Sequence, residues 1–151
     1  TPLAQDHGAA LLVDGDAQLA ARAGADGAHI AHADQALGDA IESLKPERIV
    51  GVGDLATRDE CMNAGEQDVD YLMFGGPDDP STQHDILERT RWWAEIFNVP
   101  CVAFARTLEE IEPLADAGAE FIALEAAAWD DKRGPAAAVA EAAARSVGAM
   151  A

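Results

Sequence analysis

GADGAHIAHAD, residues 24–34, joins a glycine-led turn to a short apolar run that ends close to His32 and Asp34. The run GAHIA (27–31) is apolar at every position except His29, a pattern typical of a parallel strand covered on both faces. Ligand sites of parallel α/β proteins lie at the carboxyl ends of their strands. This stretch therefore predicts a buried parallel strand followed by candidate site residues.

Apolar runs of the same kind recur along the chain and predict six strands in total. The other five runs are AALLV (9–13), RIVGVG (48–53), DYLMFG (70–75), PCVAFA (100–105) and EFIAL (120–124). The segments between the runs show apolar residues at helical spacing, as in Leu37, Ile41 and Leu44. The Ala-rich segment 135–147 predicts a final helix, since Ala has the highest helix propensity.

One unit repeats: a helix ends, a Gly follows, then an acidic residue, then a strand. It occurs as AGADGAHI (23–30), AGEQDVDYLMF (64–74) and AGAEFIAL (117–124). We expect each Gly to adopt the left-handed conformation that closes a helix. The strands start about 20 residues apart except around GGPDDPSTQHD (75–85), an extended loop that we expect to be functional. Such repetition indicates successive βα units.

Two architectures fit these units, an open doubly wound sheet or part of a (βα)8 TIM barrel. No GxGxxG dinucleotide motif occurs, because Gly51 and Gly53 lack the later glycine. The regular period favours the barrel, here as about six parallel βα units in a single domain, 1–151. A full barrel has eight units and more than about 200 residues. The two missing units imply either further N-terminal residues or a partner that covers the open edges.

Charge and composition exclude several classes of function. The 151 residues carry a net charge of -18, which repels phosphate backbones and argues against nucleic-acid binding. No apolar run approaches the roughly 18 residues needed to span a bilayer, so we expect no membrane segment. The two cysteines, Cys61 and Cys101, lack metal-site spacing, and Cys101 is expected to be buried. A reduced, cytoplasmic protein is the simplest expectation.

The motifs resemble the thiamine-phosphate synthase and thiazole tautomerase-like family of TIM barrels. LLVDGDAQLAARAGADGAHIAHAD (11–34) is similar to the family pattern LIINDxxxLALxxGADGVHLGQxD. RIVGVG (48–53) resembles the family strand IIGVS, and DVDYLMFGGPDDPST (68–82) resembles GADYIGVGPIFPTxTK. The similarity continues through VPCVAFA (99–105) and AGAEFIAL (117–124) and begins at the family's third strand. It implies strands three to eight of the barrel.

The resemblance implies a transferase of thiamine biosynthesis. Such an enzyme couples hydroxymethylpyrimidine diphosphate to a thiazole phosphate and releases diphosphate with the help of Mg²⁺. Its partners would be small phosphorylated substrates, and the resemblance allows a homodimer. The alternative is a non-catalytic or regulatory barrel of the same lineage that binds a thiazole or pyrimidine ligand.

The resemblance also implies the metal ligands. Asp34 aligns with a magnesium carboxylate of the family, whereas the other carboxylate position is Gly15, flanked by Asp14 and Asp16. We therefore expect Asp14, Asp16 and Asp34 to bind Mg²⁺. The alternative is that these carboxylates only cap helices, because all three precede helical segments.

The resemblance implies substrate contacts as well, although it assigns no catalytic residue. His32 replaces the family's Gln and is expected to contact the pyrimidine, while His29 matches the family's histidine and is expected to be structural. The family lysine of the diphosphate loop is absent, and Arg106 stands where the family has a glycine. An arginine can pair with phosphate directly. The expected diphosphate and substrate contacts are Gly75, Gly76, Ser81, Thr82 and Arg106.

Overall fold

A computed structural model describes residues 1–150, with side chains described up to residue 147. The chain divides into two compact units, Thr1–Leu72 and Met73–Ala151. The single domain predicted over 1–151 stays a prediction. Its last residue, 151, lies outside the described residues. No helix among residues 1–150 is both long enough and apolar enough to cross a membrane.

The first unit alternates short parallel strands with helices. Its strands lie side by side in chain order, from β1 to β4, and every pairing among them is parallel. The elements are α1 (Pro2–Asp6), β1 (Leu12–Asp14), α2 (Ala17–Arg22), β2 (Gly27–Ala31), α3 (Gln35–Leu44), β3 (Ile49–Gly53), α4 (Arg58–Gly65) and β4 (Tyr71–Phe74), which crosses the division between the units.

The second unit continues the alternation, and β5 pairs with β6 in parallel. Its elements are α5 (Gln83–Ile96), β5 (Cys101–Phe104), a 3-10 helix (Leu108–Glu110), α6 (Ile111–Asp116), β6 (Phe121–Ala123), α7 (Ala126–Trp129) and α8 (Pro135–Met150). All six predicted strands are therefore present, although β1 begins at Leu12 and not at Ala9. The short helices α1 and α7 were not predicted.

Both cores consist of the apolar side chains that strands and helices turn towards each other. In the first unit Leu37, Val50 and Leu72 are fully buried. In the second, Trp93 stacks on Phe97 with ring centroids 4.0 Å apart, and its indole Nε1 donates to the carbonyl oxygen of Val99 at 2.8 Å. Cys101 is buried as predicted, and burial, together with the nearby Glu120, raises the pKa of its thiol to about 12.

The acidic residue of the repeated unit joins neighbouring strands at the end where they begin. The Asp26 carboxylate accepts from the Leu11 backbone N–H at 2.7 Å, and the Asp26 N–H donates to the Leu11 carbonyl oxygen at 2.8 Å. Asp70 makes the same pair of bonds to Val50, both at 2.8 Å. We call this arrangement the acidic clamp.

Glu120 forms the acidic clamp of the second unit. Its carboxylate accepts from the Cys101 N–H at 2.8 Å, and its own N–H donates to the Cys101 carbonyl oxygen at 3.1 Å. Each carboxylate thus accepts a hydrogen bond from a backbone N–H near the start of a strand, a group that would otherwise lack a partner. The clamp gives the repeated acidic position a structural role.

The glycines of the repeat behave as predicted in two of three cases. Gly24 and Gly118 have φ of 67° and 106° and follow the ends of α2 and α6. The prediction is wrong for Gly65, which is the last residue of α4 itself, while Glu66 caps the helix at φ -76°. The longer connection from α4 to β4 lets this helix end without a left-handed residue.

We expect Asp70→Ala to lower the free energy of unfolding by about 1–3 kcal/mol, because the N–H of the fully buried Val50 would lose its acceptor. Urea denaturation measures this change. The matched control is Asp68→Ala, since Asp68 is 73% exposed and lies 4.0 Å from the same Lys45 that Asp70 contacts at 2.7 Å. Its effect should stay within about 0.5 kcal/mol. Equal losses in the two variants would contradict a structural role for the clamp.

Candidate functional site

In the first unit, four residues from neighbouring strands lie in one row. The strand register pairs Asp14 with His29, His29 with Gly51, and Gly51 with Tyr71. Residues that are in register on adjacent strands share a face of the sheet. The row therefore places a carboxylate, an imidazole and a phenol on one face, separated only by a glycine.

The two rings of the row contact each other above the glycine. His29 Nδ1 lies 2.8 Å from the Tyr71 hydroxyl oxygen, and the rings stack with centroids 5.7 Å apart and planes inclined by 12°. A Cβ atom on Gly51 would lie 1.9 Å from Tyr71 Cζ. No other residue type could occupy position 51 without moving the Tyr71 ring.

The environment of the pair favours neutral rings. Burial lowers the pKa of His29, although Asp14 and Asp54 partly oppose the shift. Burial, followed by the charges of Asp14 and Asp70, raises the pKa of Tyr71 to about 12. At neutral pH the phenol therefore keeps its proton and the imidazole is uncharged.

The predicted metal carboxylates lie at or just beyond the carboxyl ends of β1 and β2. Asp14 is the last residue of β1 and is exposed. Asp16 caps α2 by accepting from the Leu19 N–H at 2.8 Å, and Asp34 caps α3 by accepting from the Ala36 N–H at 3.0 Å. Capping is thus confirmed for Asp16 and Asp34 and is wrong for Asp14, which precedes the capping position of α2 by two residues.

His32 and Asp34 line a common cavity of about 290 Å³, together with Asp54, Leu55 and Asn63 among others. His32 and Asp54 both adopt positive φ, 64° and 52°, which is uncommon for residues other than glycine. His32 Nδ1 lies 3.1 Å from the Asp54 carbonyl oxygen, and the His32 N–H donates to the Gly53 carbonyl oxygen at 3.0 Å. These two contacts hold the turn after β2 against the turn after β3.

The acidic residues suit a magnesium ion in chemistry, although they do not enclose one. Among the described residues, no group of three or more His, Cys, Asp and Glu side chains could hold a metal ion. Mg²⁺ prefers oxygen ligands and is commonly held by one or two carboxylates, the rest of its shell being water and substrate phosphate. The exposed carboxylates of Asp14 and Asp34 match this incomplete type of site.

In the second unit, Arg106 organises the loop after β4. Its Nη2 donates to the carbonyl oxygens of Asp79 at 3.0 Å and of Ser81 at 2.5 Å. The structure thus brings the predicted contacts Ser81 and Arg106 together, through the Ser81 backbone. The Arg106 N–H donates to the Glu110 carboxylate at 2.7 Å.

Two of the remaining predicted contacts of this loop, Thr82 and Gly75, already have structural roles. Thr82 caps α5: its hydroxyl accepts from the Asp85 N–H at 3.1 Å and donates to the Asp85 carboxylate at 2.8 Å. Gly75 has φ 82°, and a Cβ there would lie 2.7 Å from Ile86 Cδ1. Gly76 is buried but has open space where a Cβ would point.

A second cavity, of about 380 Å³, is lined by the predicted contact Arg106 and by two arginines that the sequence did not single out, Arg133 and Arg145. Arg133 pairs with Asp131 at 2.9 Å and with Glu141 at 3.0 Å, and Arg145 pairs with Glu141 at 3.0 Å. Carboxylates therefore offset the charges of Arg133 and Arg145.

Sequence reasoning missed Gly51 and Tyr71 as members of the site. A signal was present: an isolated glycine inside a strand indicates close approach of another group. That group was an aromatic residue in the next strand run, Tyr71. Only the register between the strands, however, shows that the two positions match.

Comparison with known proteins identifies the family of this chain. The family model described as thiamine monophosphate synthase matches residues 1–128. The thiamine-phosphate synthase of Rhodospirillum centenum is 38% identical over 146 residues, which cover 93% of this chain and 70% of that protein. The corresponding protein of Erythrobacter litoralis is 37% identical over 143 residues, which cover 89% and 67%. The chain thus spans about two thirds of these relatives' length.

Solved structures share the fold. Thiamine phosphate pyrophosphorylase from Pyrococcus furiosus superimposes with a TM-score of 0.84 at 22% identity, covering 99% of this chain and 73% of that one. A 3-hexulose-6-phosphate synthase superimposes with a TM-score of 0.67 at 21% identity, covering 85% and 66%. The predicted fold class, parallel βα units of the TIM-barrel type, is confirmed. By the family model and by its curated relatives, this chain belongs to the thiamine monophosphate synthase family.

Proposed function

We propose that the chain is part of a transferase that joins hydroxymethylpyrimidine diphosphate to a thiazole phosphate and releases diphosphate. Membership of the thiamine monophosphate synthase family carries this proposal, since the family model covers residues 1–128 and the curated relatives named above are thiamine-phosphate synthases. The position of polar residues at the carboxyl ends of β1 and β2 supports it, because barrel enzymes act at that end of their strands.

Asp14 and Asp34 are the proposed magnesium ligands, and Asp16 is a further candidate. When bound, Mg²⁺ would offset the negative charge that develops on the departing diphosphate. One carboxylate oxygen of Asp34 accepts the Ala36 N–H, which fixes the orientation of the side chain while its other oxygen is left for a ligand. Capping and metal binding are therefore compatible roles for this residue.

The loop after β4 is the proposed phosphate-binding segment. Gly76 has open space where a side chain would point, as required for close approach of an anion, whereas the Ser81 and Thr82 N–H groups already donate to the carboxylates of Asp79 and Asp85. Arg106 holds the carbonyl groups of Asp79 and Ser81 and so keeps this loop in one conformation. His32, at the rim of the cavity beside Asp34, is the proposed contact to the pyrimidine.

A ligand-binding barrel without catalytic activity is the second candidate. One observation favours it: Arg106 Nη2 and the Thr82 hydroxyl, two groups expected to bind phosphate, are engaged in internal hydrogen bonds. The loop 75–85 also contains no lysine and carries Asp78, Asp79 and Asp85, whose charges oppose an anion. A homodimer and a cytoplasmic location stay predictions under both candidates.

Turnover separates the two candidates. We expect the chain, incubated with hydroxymethylpyrimidine diphosphate, thiazole phosphate and Mg²⁺, to form thiamine phosphate, measured by chromatography with a diphosphate-release assay. The reaction should stop when EDTA removes the metal. Calorimetric heat on adding the pyrimidine diphosphate without product formation would reject the enzyme and support the binding protein.

Asp34→Asn tests the metal role without removing the helix cap, because Asn caps helices as well as Asp does. We expect Mg²⁺-dependent binding of the pyrimidine diphosphate to weaken by about tenfold or more, since contacts to a charged group are worth roughly 1.5–3 kcal/mol. Calorimetry measures the affinity and a thermal melt checks that stability is retained.

The matched control is Asp39→Asn, which removes a charge from the exposed surface of the same helix and should leave the affinity unchanged. Equal affinities of Asp34→Asn and the unmodified chain would show that Asp34 only caps α3.

A further inference from the structure

We propose that Tyr71 is a positioning residue that holds His29 in the tautomer protonated at Nε2, so that His29 offers an N–H donor to a bound phosphorylated substrate. The first half of this inference concerns the free protein. The second half, the substrate that receives the hydrogen bond, rests on the proposed function.

The hydrogen bond between the two rings has one favourable direction. Tyr71 Oη and His29 Nδ1 are 2.8 Å apart, and within the described part of the chain the hydroxyl has no other hydrogen-bond partner. A proton on Nδ1 would donate to the phenol oxygen and leave the hydroxyl hydrogen of this half-buried side chain without an acceptor. A lone pair on Nδ1 instead accepts that hydrogen, so the single proton of a neutral imidazole lies on Nε2.

The row of strand residues holds the imidazole in place. The Tyr71 ring lies nearly parallel to it, inclined by 12°, and Gly51 supplies the space that both rings share. The partner that engages one ring nitrogen fixes the tautomer and orientation of a histidine, as in the second shell of metal sites. Tyr71 acts on the ligand only through His29.

The electrostatics of the row agree with this assignment. Burial lowers the pKa of His29 and raises that of Tyr71, so both groups are neutral near pH 7. No described residue accepts a hydrogen bond from His29 Nε2, which leaves this donor for a ligand. A neutral imidazole whose lone pair is already engaged at Nδ1 cannot also act as a general base. His29 is therefore a hydrogen-bond donor.

Nitrogen-15 NMR of the histidine rings tests the tautomer without requiring turnover. We expect His29 of the labelled chain at pH 7.5 to show a protonated Nε2 and an unprotonated Nδ1 in long-range proton–nitrogen spectra. The variant His29→Gln assigns its signals among the four histidines. In Tyr71→Phe, which keeps the ring but removes the hydroxyl, the two nitrogen shifts should move towards the average of a tautomer mixture.

Gly51→Ala provides a second variant, because its Cβ would displace the Tyr71 ring and break the same hydrogen bond. The control is Gly38→Ala on α3, where a Cβ meets open space and the His29 spectrum should not change. A protonated Nδ1 in the unmodified chain, or an unchanged His29 spectrum in Tyr71→Phe, would overturn the proposal.

Enzyme kinetics test the second half of the inference, the hydrogen bond from His29 to the substrate. If the chain turns over, Tyr71→Phe should lower kcat about two- to tenfold, the loss expected for one weakened neutral hydrogen bond. An unchanged kcat with a changed tautomer would overturn the second half of the inference alone. Absence of turnover in the unmodified chain would contradict the proposed function and leave the NMR result to decide the role of Tyr71.

Discussion

The acidic clamp is the constraint on which much of this structure depends. A carboxylate at the start of one strand binds the first backbone N–H groups of the strand before it, while its own N–H binds the carbonyl group at the same position. Two bonds to one residue determine the register of two parallel strands, because a shift by a single residue would break both. A short apolar strand of three to five residues could otherwise pair in several registers. In each unit the clamp limits such a strand to one register.

That register brings the polar side chains of neighbouring strands together in the first unit. A one-residue slip would turn the side chains of a strand to the opposite face of the sheet. The clamp from Asp26 to Leu11 brings Asp14 opposite His29, and the clamp from Asp70 to Val50 brings Gly51 opposite Tyr71. The ladder between β2 and β3 pairs His29 with Gly51 and completes the row. Contacts at the amino-terminal ends of the strands thus help to determine which side chains meet further along the sheet.

The dependence of the site on strand register explains which features could be predicted from the sequence and which could not. The strands were predictable because buried parallel strands are continuously apolar, and the acid of the repeat was visible because it recurs. Helices α1 and α7, of five and four residues, are too short to show helical periodicity. In the site, the capping by Asp16 and Asp34 follows from local sequence. The contact of His29 with Tyr71, 42 positions apart, depends on register, which no local pattern contains.

The same distinction bears on the residues that differ from the family pattern. Arg106 stands where the resemblance places a glycine, and taken alone its side chain would obstruct a phosphate. In the structure one of its nitrogens, Nη2, holds two carbonyl groups of the loop after β4, and the side chain also lines the cavity of about 380 Å³. A guanidinium group has five N–H donors in a planar fork, so Nη1 and Nε still have hydrogens for an anion while Nη2 secures the loop. We therefore propose that the lysine missing from the loop and the arginine at position 106 are one exchange, in which a fixed planar cation that also orders the loop replaces a flexible point charge.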